Sequence, residues 1–464
     1  MDERNAQVAI MRDIYKAAQR IVVWLGLGCR CHDLKYHFLA TEAYRLYSWG
    51  VREGLYNDFA GFEIPHTTVD AIQCLGENPW WSRSWTLQES STPHAPMELW
   101  VGASRVSFED LKLAHYGILW AMAVDQQAEI PPGYNKTLDV LGRLASSRLG
   151  DAKMTLLDLL VKCRSFKATD PRDKIYAFLG IYADARGESP INIDYSLPAS
   201  EVFKTTAIHV LQKGNNPAIL AHCGSYRNEI ASPSWVPDFS VSGDHHAAIR
   251  PASTKVCSFS LPISFEINMN CLVVTGVIID HVAEIVEPLL QPEEEIPEAD
   301  MGEFAMESPE FLSWFQSIVR MAYPDGVETE YPGGVDTTAA MNLLFMGIKD
   351  KPKPDHRNGM GPPFLEVLAG KGFGGHFDHI LVIPIVRRRY PWLTFFRATK
   401  GYLGFGDEAT MPGDTIVGID GLPTPLVLRK KGAATWRLLG PSFVVGMMSG
   451  DHREIGEEAV FRID

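Results

Sequence analysis

Long apolar runs are missing from this chain. No stretch approaches the roughly 18 consecutive apolar residues that cross a bilayer, so no transmembrane segment is expected. Met1-Asp2-Glu3-Arg4-Asn5 is polar and no signal-peptide core follows it, so no secretory leader is expected either. Cysteine is sparse. The seven Cys are odd in number and scattered, which fits reduced thiols in a cytosolic or nuclear protein. The sequon Asn135-Lys136-Thr137 would then stay unmodified. Lys and Arg are absent between Glu287 and Val319, where nine acidic residues stand. Most of the formal net charge of −14 therefore sits in one insert, and no basic field marks a nucleic-acid partner. His-Glu-x-x-His, Gly-x-Ser-x-Gly and the Walker loop are all absent, which removes the simplest protease, esterase and nucleotidase readings.

Other apparent motifs fail on inspection. Gly26-Leu27-Gly28 follows an apolar run, but the third position of a dinucleotide loop is Cys31 and no amphipathic helix opens there. Cys29-Arg30-Cys31-His32 is too tightly spaced for a zinc knuckle and lacks a second ligand pair. His376-Phe377-Asp378-His379 has ligand chemistry without a visible partner set, so surface histidines are the simpler reading. Neither a metal nor a bound cofactor is expected.

What is present is a globular chain of 464 residues, 46% hydrophobic and 22% charged, long enough for about two or three domains. Its most distinctive stretch is Asn78-Pro-Trp-Trp-Ser-Arg-Ser-Trp-Thr-Leu-Gln-Glu89. Asn78 is a capping residue, Pro79 suits a first helical position, and no breaker follows until Pro93. The spacing predicts one helix with Trp81, Trp85 and Glu89 along a single face. A carboxylate against such an apolar face can have a raised pKa and do acid–base or electrostatic work. The alternative is a helix edge where Trp packs inward and Glu89 is solvated or salt-bridged.

Upstream, Val8, Met11, Ile14, Tyr15 and Ala18 keep helical spacing. The run Ile21-Val22-Val23-Trp24-Leu25 then reads as a strand buried on both faces, making helix and strand the second half of a β–α–β unit. Residues 34–60 read as helical and aromatic. Met97 to Gly102 reads as a strand, and Ser107-Phe108-Glu109-Asp110 as a capping box. Asp170-Pro171-Arg172-Asp173-Lys174 opens an apolar stripe expected to stop at Gly180. Val202, Phe203, Thr206, Ala207, Val210 and Leu211 line one helix face, closed by Gly214. Pro233 to Asp238 reads as a rigid surface link. From about 255 the texture turns β-branched, with strands between Ser264 and Ile285, helices at 309–322 and 336–348, and a Pro/Gly-rich loop at 350–363. Short strands with glycine turns then fill residues 390–450 as a small antiparallel sheet or barrel.

Several blocks together resemble the heterokaryon incompatibility (HET) domain family of filamentous fungi and the motifs that follow that domain in such proteins. They are Glu3-Arg4-Asn5-Ala6-Gln7-Val8, Val23-Trp24-Leu25-Gly26 and Pro79 to Glu89, followed by Thr169 to Lys174, Asp194-Tyr195-Ser196 and Ser234 to Asp238. The tail adds Thr399 to Gly404, Gly413-Asp414, Leu428-Arg429 and Gly446 to Asp451. The resemblance implies a cytoplasmic protein of self/non-self recognition that can trigger cell death. It also implies protein partners, a second copy of the chain among them.

HET domains are in turn distantly similar to TIR domains, some of which cleave NAD⁺. Their catalytic glutamate lies four residues after a Trp, as Glu89 follows Trp85. By this resemblance Glu89 is the candidate catalyst, Trp81, Arg83 and Trp85 are candidate substrate-binding residues, and NAD⁺ enters as substrate. Two family motifs expected ahead of Glu3 are missing, and Thr86 replaces a Cys common in TIR motifs. The expectation is therefore an N-terminally truncated or degenerate member. Recruitment to another enzymatic task, such as specialised metabolism, is a further reading.

The expected fold is α/β plus α+β. Residues 1–105 would form a partial TIR/flavodoxin-like parallel sheet, 106–250 a helical extension, and 251–464 an antiparallel β-rich region carrying the acidic insert 287–319.

Overall fold

A computed structural model describes residues 2–27, 78–90, 95–110, 155–186, 189, 191–224, 230, 232–241, 266–268, 270–289, 309–324, 330–332, 335–346, 392–419, 421–422, 424–448 and 456–464. The readings made for 29–32, 34–60, 135–137, 350–363 and 376–379 lie outside the described residues. The chain divides into two units, residues 1–198 and 199–464. Segment 106–250 of the sequence reading contributes to both.

In the first unit α1 (Asp2–Ala17) leads into β1 (Ile21–Trp24). β1 pairs parallel with β2 (Met97–Val101), Ile21 opposite Met97 and Trp24 opposite Trp100. β3 (Ser104–Ser107) returns antiparallel on β2. The expected strand and its parallel partner are there, but burial on both faces is not. Ile21 and Val23 are buried, whereas Val22 and Trp24 are 44% and 53% exposed. A continuous β-branched run shows strand propensity; it carries no information on whether a second layer covers the sheet.

The single helix expected over 79–89 is two elements. Pro79–Ser82 is a 3₁₀ turn whose N-cap, Asn78, accepts Trp80 N–H at 3.0 Å. Arg83 then turns extended (φ −83°, ψ 137°) and bridges to Lys167, and Ser84 N–H donates to Lys167 O at 2.9 Å. Only after that break does α2 (Ser84–Ser90) start. Trp81 and Trp85 therefore do not share a helical face. Trp81 is 2% exposed and packs edge-on against Trp80, while Trp85 is half-buried.

α3 (Leu156–Lys162) begins with a capping box between Thr155 and Asp158. α4 (Asp173–Arg186) packs against α1, α2 and α3. Its Gly180 does not end the helix. A Cβ there would sit 2.9 Å from Arg12 Cβ and 3.1 Å from Gln88 Nε2, so the glycine is a point of close approach for α1 and α2. Ser107 caps as expected, accepting Asp110 N–H at 3.0 Å.

The second unit starts with α5 (Ala199–Gln212), which buries all six residues of the expected face. The left-handed residue after it is Asn215 (φ 44°), not Gly214. Segment 233–238 is not a surface link. Trp235 is 0% exposed and donates its indole N–H to Asn270 O at 2.8 Å. Pro and Ser around an aromatic mimic a loop in composition, and only the long-range partner reveals an anchor.

β4 (Glu266–Asn268) and β5 (Cys271–Val286) form a hairpin. α6 (Pro309–Ala322), β6 (Glu330–Tyr331), β7 (Val335–Asp336) and α7 (Thr337–Met346) follow. Then come β8 (Thr394–Ala398), β9 (Leu403–Gly406), β10 (Thr415–Ile419), β11 (Leu426–Lys430), β12 (Thr435–Pro441), β13 (Phe443–Val444) and β14 (Glu457–Ile463). β5, β10, β11, β12 and β14 pair in a closed ring, every step antiparallel except β12 on β14. Gly276 lets the ring close, because a Cβ there would lie 2.5 Å from Gly418 O. The far end of β5 leaves the ring and pairs with β8, which continues to β9 and β13. α6 and α7 pack there through Phe311, Phe315, Ile318, Met341 and Leu344 onto Phe395, Phe396 and Phe405. The β-rich tail thus stands, but strands 390–450 do not close by themselves; β5 and β14 complete them. The whole is an α+β protein with mixed sheets and a β-rich C-terminal region.

Candidate functional site

Glu89 sits in the last turn of α2, half-buried. Its neighbours are not those the spacing predicts. Trp80 Nε1–H donates to Glu89 Oε2 at 3.3 Å. The Tyr15 hydroxyl on α1 is hydrogen-bonded to the same carboxylate. Burial, then the Glu89 charge and this bond, push the Tyr15 phenol up to about 12, with Arg83 opposing. Tyr15 therefore stays a donor across the physiological range. Arg83 is exposed at the break between the 3₁₀ turn and α2. The cluster is a carboxylate held by two donors beside one guanidinium, which is suited to steadying a developing positive charge.

Of the residues expected here, Glu89 and Arg83 share the cluster. Trp81 points into the core instead, its Nε1 without a hydrogen-bond partner among the described residues. Tyr15 and Trp80 are the members that sequence reasoning missed. Tyr15 was visible only as one member of a helical stripe, and Trp80 was off the expected i, i+4 face.

A second polar cluster gathers three separate sequence blocks. Arg172 grips Asp170 in a fork, Nε to Oδ1 and Nη2 to Oδ2, both at 2.9 Å. Its Nη1 also donates to Tyr195 O and Leu197 O, at 2.6 and 2.8 Å. The hydrogen bonds from Arg172 hold the Asp170 carboxyl below the ordinary carboxylate range. Tyr195 donates its hydroxyl to the buried carboxylate of Asp173, and burial first, then Asp173, drive the phenol pKa upward. Arg4 lies 3.6 Å above the Tyr195 ring and pairs with Asp170 at 3.3 Å. Asn5 Oδ1 accepts Tyr195 N–H at 2.9 Å. Lys174, 5% exposed, spends its ammonium on Arg164 O (2.9 Å) and Phe166 O. The charged triplet 172–174 is thus consumed inside the fold.

The tail blocks behave alike. Asp414 on the approach to β10 takes Arg429 of β11 at 2.8 and 2.7 Å, and Met411 N–H at 2.7 Å. Asp280, buried on β5, accepts Lys400 N–H at 2.8 Å and the Thr399 hydroxyl. Among the described residues no three His, Cys, Asp or Glu side chains gather as metal ligands. No described helix is long and apolar enough to cross a membrane.

Residues 1–89 match the family model of the heterokaryon incompatibility protein (HET). The chain is also 23% identical to heterokaryon incompatibility protein 6, OR allele, of Neurospora crassa, over 99% of this chain and 80% of that protein. No solved structure matches. The HET match contains α1, β1 and the whole Glu89 cluster, and the similarity to the Neurospora crassa heterokaryon incompatibility protein extends over the second unit as well.

Proposed function

We propose that this chain acts in fungal self/non-self recognition, working in the cytoplasm through protein partners and leading to cell death when incompatible cells fuse. One observation carries the reading. The HET-like block at 3–8 and the blocks at 169–174 and 194–196, which resemble motifs that follow such domains, converge on Tyr195 through Arg4, Asn5, Arg172 and Asp173. Such a network costs conformational entropy and desolvation, and its return is one defined arrangement of α1 against α4. The test is expression of the chain in a compatible fungal strain lacking it, scored by cell death and barrage formation on fusion. Growth and fusion indistinguishable from the empty-vector strain, at verified protein levels, would sink it.

A second reading is residual NAD⁺ cleavage in a TIR-like first unit. Its supports are the parallel β1–β2 pair after a helix and the half-exposed Glu89 carboxylate oriented by Tyr15 and Trp80. Glu89 would steady the oxocarbenium-like ribose as nicotinamide leaves, and water would complete ADP-ribose with release of a proton. Trp80 and Tyr15 already occupy part of that carboxylate, so weak or no turnover is expected, as in a degenerate member. Nicotinamide release by the purified chain and by Glu89→Gln decides it. Robust release by the chain removes the degenerate reading, and release untouched by the substitution removes Glu89.

A further inference from the structure

We propose that the second unit binds a small phosphate-bearing molecule in the polar cavity between the start of α5, the tip of the β4–β5 hairpin and the β12–β14 edge of the ring. The cavity measures about 440 Å³, a volume suited to a ligand of nucleotide size. Lys204, Lys431 and Arg437 converge on it, against the carboxylates of Glu201 and Asp464. Lys204 bonds Glu201 at 2.7 Å and Asn270 Oδ1 at 3.3 Å, and Lys431 pairs with Asp464 at 3.3 Å. Arg437 has no ion pair among the described residues, so its guanidinium is open to a ligand.

Donors are also in excess. Among the described residues the Arg437 guanidinium, the Asn270 amide nitrogen and the Ser200 hydroxyl spend no donor. An acceptor-rich anion meets that surplus; an apolar or cationic ligand does not. The Lys431–Asp464 pair is half in solvent and therefore weak, so Lys431 can turn to an incoming phosphate at little cost.

The walls are fixed in advance. Ser234 N–H donates to Asp464 O at 2.9 Å, and the Ser234 hydroxyl accepts Leu438 N–H at 3.0 Å. The fully buried Trp235 ties the same segment to Asn270 O. This gives segment 234–238 a use beyond packing: it holds one wall against another, so that binding orders little.

The test is calorimetric titration of the full chain with inorganic pyrophosphate and with ADP at low ionic strength. Saturable binding is expected, falling as salt rises. Arg437→Gln and Lys431→Gln, both at exposed positions, should each weaken it about tenfold while leaving the unliganded melting temperature unchanged. Lys213→Gln removes the same charge at the far end of α5, about 20 Å away, and should leave affinity intact. Tighter ADP than pyrophosphate assigns a nucleotide, and the reverse assigns a bare polyphosphate; both support the site. No saturable binding of either probe would overturn it. So would equal loss in Lys213→Gln, or unaltered binding in both Arg437→Gln and Lys431→Gln.

Discussion

Both units bury polar networks, but they differ in what they bury beside them: the first encloses the cations Arg12 and Lys174, and the second closes a ring of strands. In the first, long-range contacts run through buried polar groups: Arg12, Asp173, Lys174 and Gln88 all lie inside. The three described strands of its sheet leave Val22 and Trp24 open. In the second, the ring strands bury Leu272, Ile279, Val417, Leu426, Val427, Leu428, Phe461 and Ile463, all essentially inaccessible. Polar networks need every partner in place and specify a single arrangement; apolar cores tolerate exchange and fail mainly by cavities. The buried cation sites of the first unit should therefore be sensitive to single charge changes, as should the Asp280 and Asp414 networks of the second, and the ring strands to loss of volume.

The largest effect should come from emptying a core. Phe461→Ala, in the ring, and Trp81→Ala, in the first unit, should each cost about 3–5 kcal/mol. Two resolved calorimetric transitions, each moved by only one substitution, would sharpen the contrast; a single shared transition would break it. Next is Lys174→Met, which preserves apolar bulk but strips donors from Arg164 O and Phe166 O. Each carbonyl left unsatisfied costs about 1–3 kcal/mol, whereas Leu428→Met in the ring should cost less than about 1.5 kcal/mol. Equal denaturation shifts for the two would remove the distinction.

Gly180→Ala is a finer probe. Alanine favours a helix interior by about 1 kcal/mol, but its Cβ would press on Arg12 and Gln88 and overpacking costs about 1–3 kcal/mol. Net destabilisation is expected, and a rise in melting temperature would mean that α1 and α2 give way freely.

The smallest effect is the pH response of the first unit. Tyr15 has a folded pKa of about 12 against an ordinary 10.0, so its contribution is complete below pH 10.0 and is lost as pH rises toward 12. Asp170 is shifted the other way, so its contribution is present above the ordinary 3.8 and fades as pH falls through the lower folded value. Tyr15→Phe should flatten the alkaline limb in a pH series of melting curves. An unchanged limb would detach Tyr15 from it.

Local chemistry was readable wherever neighbours in sequence are also neighbours in space. The six buried positions of α5, the Ser107 cap, the Asn78 cap and the strand β1 follow from period, hydrogen-bonding groups within a turn, and β-branching. The HET resemblance was legible too, because it rests on residue identity alone. Tertiary structure decided the rest. Lys167 pulls Arg83 into an extended bridge and splits the expected helix. Arg12 and Gln88 turn Gly180 from a stop into a contact. Asn270 makes an anchor of Trp235, and β5 and β14 close the tail strands into a ring. Trp80 and Tyr15, rather than Trp81 and Trp85, receive Glu89. Each of these depends on a partner set by how chain segments pack, and periodicity within one segment carries no record of which distant segment will lie against it.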